Sequence, residues 1–135
     1  MASAIPGLII SLKSSGGPTG DQYKGVYATS SADQDGYAIL DDRGHRFTGV
    51  LLGNSTEATF QEVQVSGVAK MAAGDSSAME TAITVGLTLS LSTIGQAVPS
   101  TGGAGEWKIG TALDSLTTGS TGIIRVLLGA FQSSS

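Results

Sequence analysis

The 135 residues contain no cysteine. Disulfides and thiolate-held metals are therefore excluded as braces for the fold, and thiol usage says nothing about redox compartment. Charge is also scarce, at 13% of residues, and eleven acidic side chains outnumber seven basic ones for a net charge of -4. Those seven (Lys13, Lys24, Arg43, Arg46, Lys70, Lys108 and Arg125) are scattered apart from the Arg43/Arg46 pair. No basic stripe of the kind that phosphate backbones require is present, so no nucleic-acid partner is expected. Aromatic residues make up only 5%, and His45 is the single histidine. No apolar run approaches the ~20 residues needed to cross a bilayer. The N-terminal run (Ile5, Leu8, Ile9, Ile10, Leu12) has no basic residue before it and is interrupted by Pro6-Gly7, the reverse of a signal peptide. The expectation is a chain made in the cytoplasm with no membrane partner.

What is abundant points the other way. Twenty glycines, a Ser/Thr-rich remainder and 40% hydrophobic residues suit short strands joined by tight turns. The length suits one domain with its own core. With so little charge, the surface has to be Ser, Thr, Gly and exposed aliphatics, which is more natural where neighbours cover it. An oligomer or assembly component is expected.

The organising stretch is Trp107 to Gly129, WKIGTALDSLTTGSTGIIRVLLG. An apolar strand enters a Ser/Thr/Gly turn and returns as Ile123, Ile124, Val126, Leu127 and Leu128, a long β-hairpin signal. Gly49 to Gly67, GVLLGNSTEATFQEVQVSG, repeats that order: glycine, apolar strand, polar turn, second strand, glycine. The two segments read as a weak internal duplication.

In chain order, Gly7 to Lys13 alternates as a strand, either in its own sheet or as an arm that adds to another subunit. Ser14 to Asp21 is a turn-rich connector; its glycines suggest a phosphate loop, but the Gly-Lys-Ser/Thr ending is missing. Tyr23 to Thr29 is a strand, and SSADQDG turns it into Tyr37 to Leu40. Asp33, Asp35 and Gly36 resemble part of a calcium loop, yet the twelfth position is Gly44 where a bidentate Glu is required. Asp41, Asp42, Arg43 and His45 read as a solvated turn, because adjacent carboxylates in a strand or turn point in different directions. Val68 to Thr81 gives mixed signals, with one short helical turn around Ser76 to Thr81 and two gap-filling methionines. Ile83 to Leu91 alternates cleanly and reads as one half-buried strand, with Thr84, Thr88 and Ser90 opposite Val85, Leu87, Leu89 and Leu91. Ser92 to Gln96 turns it back into Ala97-Val98. Pro99 to Gly105 reads as a flexible loop, and Phe131 to Ser135 as a frayed tail.

The fold expected is therefore all-β, a small compact β-barrel or β-sandwich built from hairpins with an extended N-terminal segment. Residues 1–20 form the N-terminal strand or arm and its connector, 21–130 a single β domain, and 131–135 the tail. With one histidine, no cysteine and no convergent acids, no catalytic, cofactor-binding or metal-ligating residue is expected.

Three segments, GVLLGNSTEATFQEVQVSGVAKMAAG from Gly49, GLTLSLSTIGQAV from Gly86 and IGTALDSLTTGSTGIIRVLLG from Ile109, follow PTGDQYKGVYATSSADQDGYAI. Together they resemble the capsid cement, or head decoration, proteins of tailed bacteriophages. The resemblance runs from about Pro18 to Leu128 and rests on the order of glycine and apolar spacings. It implies a non-enzymatic virion protein without cofactors that binds the major capsid protein on the outside of the expanded head and reinforces it. Members are commonly homotrimers at threefold or local threefold positions. Candidate contacts to capsid or sister subunits are Ile5, Pro6, Leu8, Ile9, Ile10 and Trp107. A different class of function is a carbohydrate- or host-surface-binding β module on a phage particle, for which Trp107 would be the platform if exposed, a core or interface position being the commoner one for tryptophan.

Overall fold

Short apolar segments punctuated by Gly, Ser and Thr form eleven strands among the residues that the computed structural model describes: 5–14, 22–31, 34–39, 47–52, 60–74, 82–92, 95–103 and 105–132. They are β1 (Ile5–Pro6), β2 (Ile9–Ser14), β3 (Gly25–Ser31), β4 (Gln34–Ile39), β5 (Gly49–Leu51) and β6 (Phe60–Gln64). After them come β7 (Gly67–Ala73), β8 (Thr88–Leu91), β9 (Ala97–Pro99), β10 (Trp107–Ala112) and β11 (Gly122–Gln132). No helix occurs among the described residues, and the all-β expectation holds.

The strands make two rings. The first is a closed barrel in the order β2-β4-β3-β5-β6. The second belongs to a six-stranded sheet, β1-β7-β11-β10-β8-β9, in which a further β7–β9 pairing joins the ends and leaves β1 outside. Connectivity is the same in both. The first strand of each ring pairs parallel with the third and antiparallel with the fifth; the second pairs with the third and fourth, and the fourth with the fifth.

Register repeats as well. Val26↔Gly49 corresponds to Leu89↔Gly110, Leu51↔Val63 to Ala112↔Val126, Ile10↔Val63 to Ala69↔Val126, and Ser14↔Tyr37 to Ala73↔Ala97. So do hydrogen bonds beyond the strands. Tyr23 donates its N–H to the Leu51 carbonyl (2.6 Å) as Gly86 does to Ala112 (2.8 Å), and Leu52 donates to Glu62 (3.0 Å) as Leu113 does to Arg125 (2.9 Å). Tyr23 and Gly86 share a left-handed backbone, with φ of 68° and 93°. The duplication glimpsed in two hairpins thus extends around both rings.

Equivalent positions fill the two interiors. Val26, Leu51 and Val63 form the core of the first ring, and their counterparts Leu89, Ala112 and Val126 are equally buried in the second. The larger core also takes in Phe47 and Val50, which point out of the first ring into the second. Hydrogen bonds seal the joint: Gly25 N–H to the Gly95 carbonyl (2.8 Å) and Ala72 N–H to the Tyr23 carbonyl (2.9 Å). A Cβ at Gly25 would lie 2.5 Å from Leu91 Cδ1, so glycine is what lets the rings approach. Gln64, 2% exposed, spans the crossover by donating Nε2 to the carbonyls of Ser66 (2.9 Å) and Val68 (3.1 Å). Its burial is thereby compensated.

Several sequence expectations change. The segment with mixed signals contains β7, a strand next to β11, where Ala69, Met71 and Ala73 alternate into the core. Poor β-propensity is overridden by the six-pair ladder to β11 and the burial of this face. Met71 is core, as read; Ser76 to Thr81 lies outside the described residues, as does the Asp41 to His45 turn. Ile83 to Leu91 is not one strand: Ile83 makes an isolated bridge to Leu116, a turn at Val85-Gly86 follows, and only Thr88–Leu91 is β8. Gly86 permits that turn through its positive φ. Nor is β8 half-buried, because Ser90 is fully buried and donates Oγ to the Trp107 carbonyl (3.0 Å). The SSADQDG turn is shorter than read, since β3 and β4 stay paired to Ser31↔Gln34. Phe131 and Gln132 are not frayed: they pair with Lys108 and Trp107 as the end of β11.

Candidate interaction surface

Along β11 the apolar run alternates sharply. Ile124 and Val126 point into the second ring, while Ile123, Arg125 and Leu127 point out. Their neighbours across the sheet are Ala72, Lys70 and Val68 on β7, with Thr111 of β10 beside Leu127. Arg125 interrupts this face but its charge is matched. Asp114 Oδ2 accepts hydrogen bonds from the Arg125 backbone N–H (2.8 Å) and Nε (3.1 Å), and Oδ1 accepts from an Nη (2.9 Å). The side-chain hydrogen bond to Arg125 is the main cause holding the Asp114 carboxyl below its usual 3.8; the Arg125 guanidinium is raised in turn. Ile123 and Leu127 are about half exposed on either side of this ion pair, with Lys70 of β7 opposite Arg125.

The described residues of the loop, Pro99 to Gly103, are organised rather than loose. Glu106, only 5% exposed, accepts from Thr101 Oγ1 (2.7 Å), the N–H groups of Thr101 (3.2 Å) and Gly102 (3.3 Å), and the Ser100 hydroxyl. Lys108 Nζ stands 4.0 Å from the same carboxylate. A buried anion is tolerable when donors and a cation surround it. The consequence is a loop pinned from inside, with Thr101, Gly102 and Gly103 exposed at its tip.

The residues singled out from the sequence separate. Ile5 and Pro6 pair in register with Val68 and Gly67 at the outer edge of β7. Leu8 is exposed, donates its N–H to Ser66 Oγ (2.8 Å) and accepts from Val65 N–H (2.9 Å). Ile9 is exposed next to it, whereas Ile10 turns inward against Val26, Leu51 and Val63. Trp107 is half-buried at the start of β10, three places from β1 in the strand order and apart from that strip. Sequence reading missed Val85, Ile123 and Leu127 as exposed residues. The available signal was β11 itself, whose run is apolar on both faces although only one can line a ring interior. Among the described residues, no three His, Cys, Asp or Glu side chains gather to hold a metal, and no helix is long and apolar enough to cross a membrane.

The arrangement defines an all-β chain of two equivalent five-stranded rings with apolar outer patches. Its fold is similar to that in the crystal structure of the head fiber gp8.5 N base in bacteriophage phi29. The TM-score is 0.61 over 90% of this chain and 95% of that one, at 14% sequence identity. At that identity the likeness establishes a shared fold. No protein-family model matches the sequence, and no curated protein matches it significantly.

Proposed function

We propose that this chain is a non-enzymatic structural protein of a tailed-phage particle. In this reading it seats on the outer surface of the expanded head by binding the major capsid protein, as a homotrimer at threefold or local threefold positions, and reinforces the shell. One observation carries the proposal: the fold follows that of a phage head fiber base along nearly the full length of both chains. The sequence resemblance to head decoration proteins, drawn from glycine and apolar spacing, points to the same kind of particle independently.

The physical properties suit the task. A protein that binds only the assembled lattice stabilises it by mass action, and the effect multiplies over many copies. A net charge of -4 favours the exterior over contact with packaged DNA. Two cores fused through Phe47 and Val50 make a stiff body, and the pinned Thr101 to Gly103 tip is ordered before any partner arrives. A second reading, a host-surface or carbohydrate-binding module displayed on the particle, draws on Trp107, a half-buried residue.

The test is co-sedimentation of purified protein with expanded heads that lack it. Saturable binding, followed by higher resistance of the heads to heat or chelator, is expected. Failure to bind any head form removes the proposal, and a sugar-dependent change in Trp107 fluorescence moves the assignment to the second reading.

A further inference from the structure

Among the described residues, the large apolar side chains left exposed are Val85 (64%), Leu8 (60%), Ile123 (51%), Leu127 (48%) and Ile9 (39%). The duplication explains where they fall. Inside the chain, the outer face of β5 and the end of β6, carrying Val50 and Gln64, are buried where the second ring packs on the first. Tyr23 joins them through its carbonyl, which accepts from Ala72 of β7. By register, the second-ring counterparts of Tyr23, Val50 and Gln64 are Gly86, Thr111 and Leu127. That face is open, and Val85, Ile123 and Leu127 lie on it or at its border. Within the chain β7 faces the first ring beside Leu91 of β8 and the turn at Gly95, and the counterpart of β7 is β2, where Ile9 takes the place of Val68. Leu8 and Ile9 are the remaining exposed pair.

We propose that a second copy of this chain seats on the face around Thr111 and Leu127, presenting Leu8 and Ile9 of its own β2, so that one copy follows another as the second ring follows the first. The contact is heterologous: each copy offers two different surfaces, and repetition of the step closes a ring when the rotation permits. The Asp114–Arg125 pair matches the Arg125 charge on this face, leaving Lys70 of β7 as the basic residue beside the contact. This deepens the homo-oligomer part of the proposed function, but it rests on the duplicated fold and not on attachment to a shell.

The experiment uses the full chain, whose lack of cysteine makes single thiols clean probes. An oxidised mixture of Ile9→Cys and Leu127→Cys chains is expected to give a covalent pair at twice the 13.5 kDa chain mass, well above the yield from either alone. In sedimentation the unmodified chain is expected as an oligomer at ~100 μM, a concentration that reveals contacts of micromolar strength. Ile9→Glu and Leu127→Glu should each run as folded monomers, with unchanged circular dichroism, and their equimolar mixture should regain a two-chain species through the one intact pairing. A monomeric unmodified chain overturns the inference, as does Leu127→Cys cross-linking to itself but not to Ile9→Cys. Loss of head binding with the oligomer intact would instead count against the proposed function alone.

Discussion

Gly49 and Gly110 occupy the same point of the two rings, and in each a side chain would strike the same equivalent atoms. A Cβ at Gly49 would stand 2.5 Å from the Gln64 carbonyl oxygen and 2.7 Å from Val63 Cγ1; at Gly110 it would fall on the Leu127 carbonyl oxygen and close to Val126 Cγ1. Gln64 and Leu127 correspond by register, as do Val63 and Val126. The fourth strand of either ring therefore approaches the fifth too closely for anything but glycine.

Gly49→Ala and Gly110→Ala should accordingly both destabilise, Gly110→Ala the more, because its φ of 154° adds backbone strain to the closer clash. Because the obstruction is backbone rather than a movable side-chain tip, each is expected to cost at least roughly 1–3 kcal/mol, the range for overpacked cores. Urea unfolding of the two variants measures it. Alanine at Gly119, where no atom lies within 4 Å of the added Cβ, isolates the cost of its φ of 75° from that of crowding.

Asp114 provides a pH signature. Its carboxyl is depressed in the folded state by hydrogen bonds from Arg125, so the stabilisation is complete above the unfolded value and lost as pH falls through the lower folded one. The stability difference between the parent chain and Asp114→Ala should stay constant from neutral pH to roughly pH 5 and shrink below roughly pH 4. The pair is partly exposed, with 28% and 33% of its side-chain surfaces accessible, so the gap should be small and fall with added salt. Thermal melts across pH and salt check both.

Glu106 holds the loop before β10. Glu106→Ala leaves the Ser100 and Thr101 donors without their carboxylate, and the Gly102 N–H with Ser100 Oγ (3.2 Å) alone, and is expected to destabilise by roughly 1–3 kcal/mol. Amide exchange at Thr101 and Gly102 should accelerate well beyond the global change, because both N–H groups point at that carboxylate. Glu106→Gln keeps one oxygen acceptor and should fall between.

Met71 tests the shared core. It is fully buried in a strand of modest β-propensity, so Met71→Ala should cost about 2–5 kcal/mol by removing packed volume. Denaturant unfolding should remain a single transition if the rings unfold together through the Phe47 and Val50 contacts.

The sequence made much of this legible where alternation and turn chemistry agree. The hairpins of β5–β6 and β10–β11, and the turn from β8 to β9, follow from apolar runs broken by Ser, Thr, Asn and Gly. The duplication showed only in the hairpins, because Ala69, Met71 and Ala73 share no residue type with Ile10, Leu12 and Ser14, although the registers match. Alternation misled at Val85: the period of two continues through a turn that Gly86 allows, leaving Val85 exposed instead of inward. The loop ahead of β10 resembled free chain since its organiser, Glu106, lies outside the glycine-rich stretch. The candidate surface was half visible. Leu8 and Ile9 stood out as an apolar N-terminal strip, but which outward residues of β11 go uncovered depends on the packing of one ring upon the other, a long-range property.

Mass analysis of intact, purified particles of the phage proposed to carry this chain is the most direct check on the proposed function. The polypeptide is expected in a fixed ratio to the major capsid protein, retained through washing and accessible to protease or antibody from outside. Particles of full infectivity and stability that contain none of it would overturn the proposed virion role.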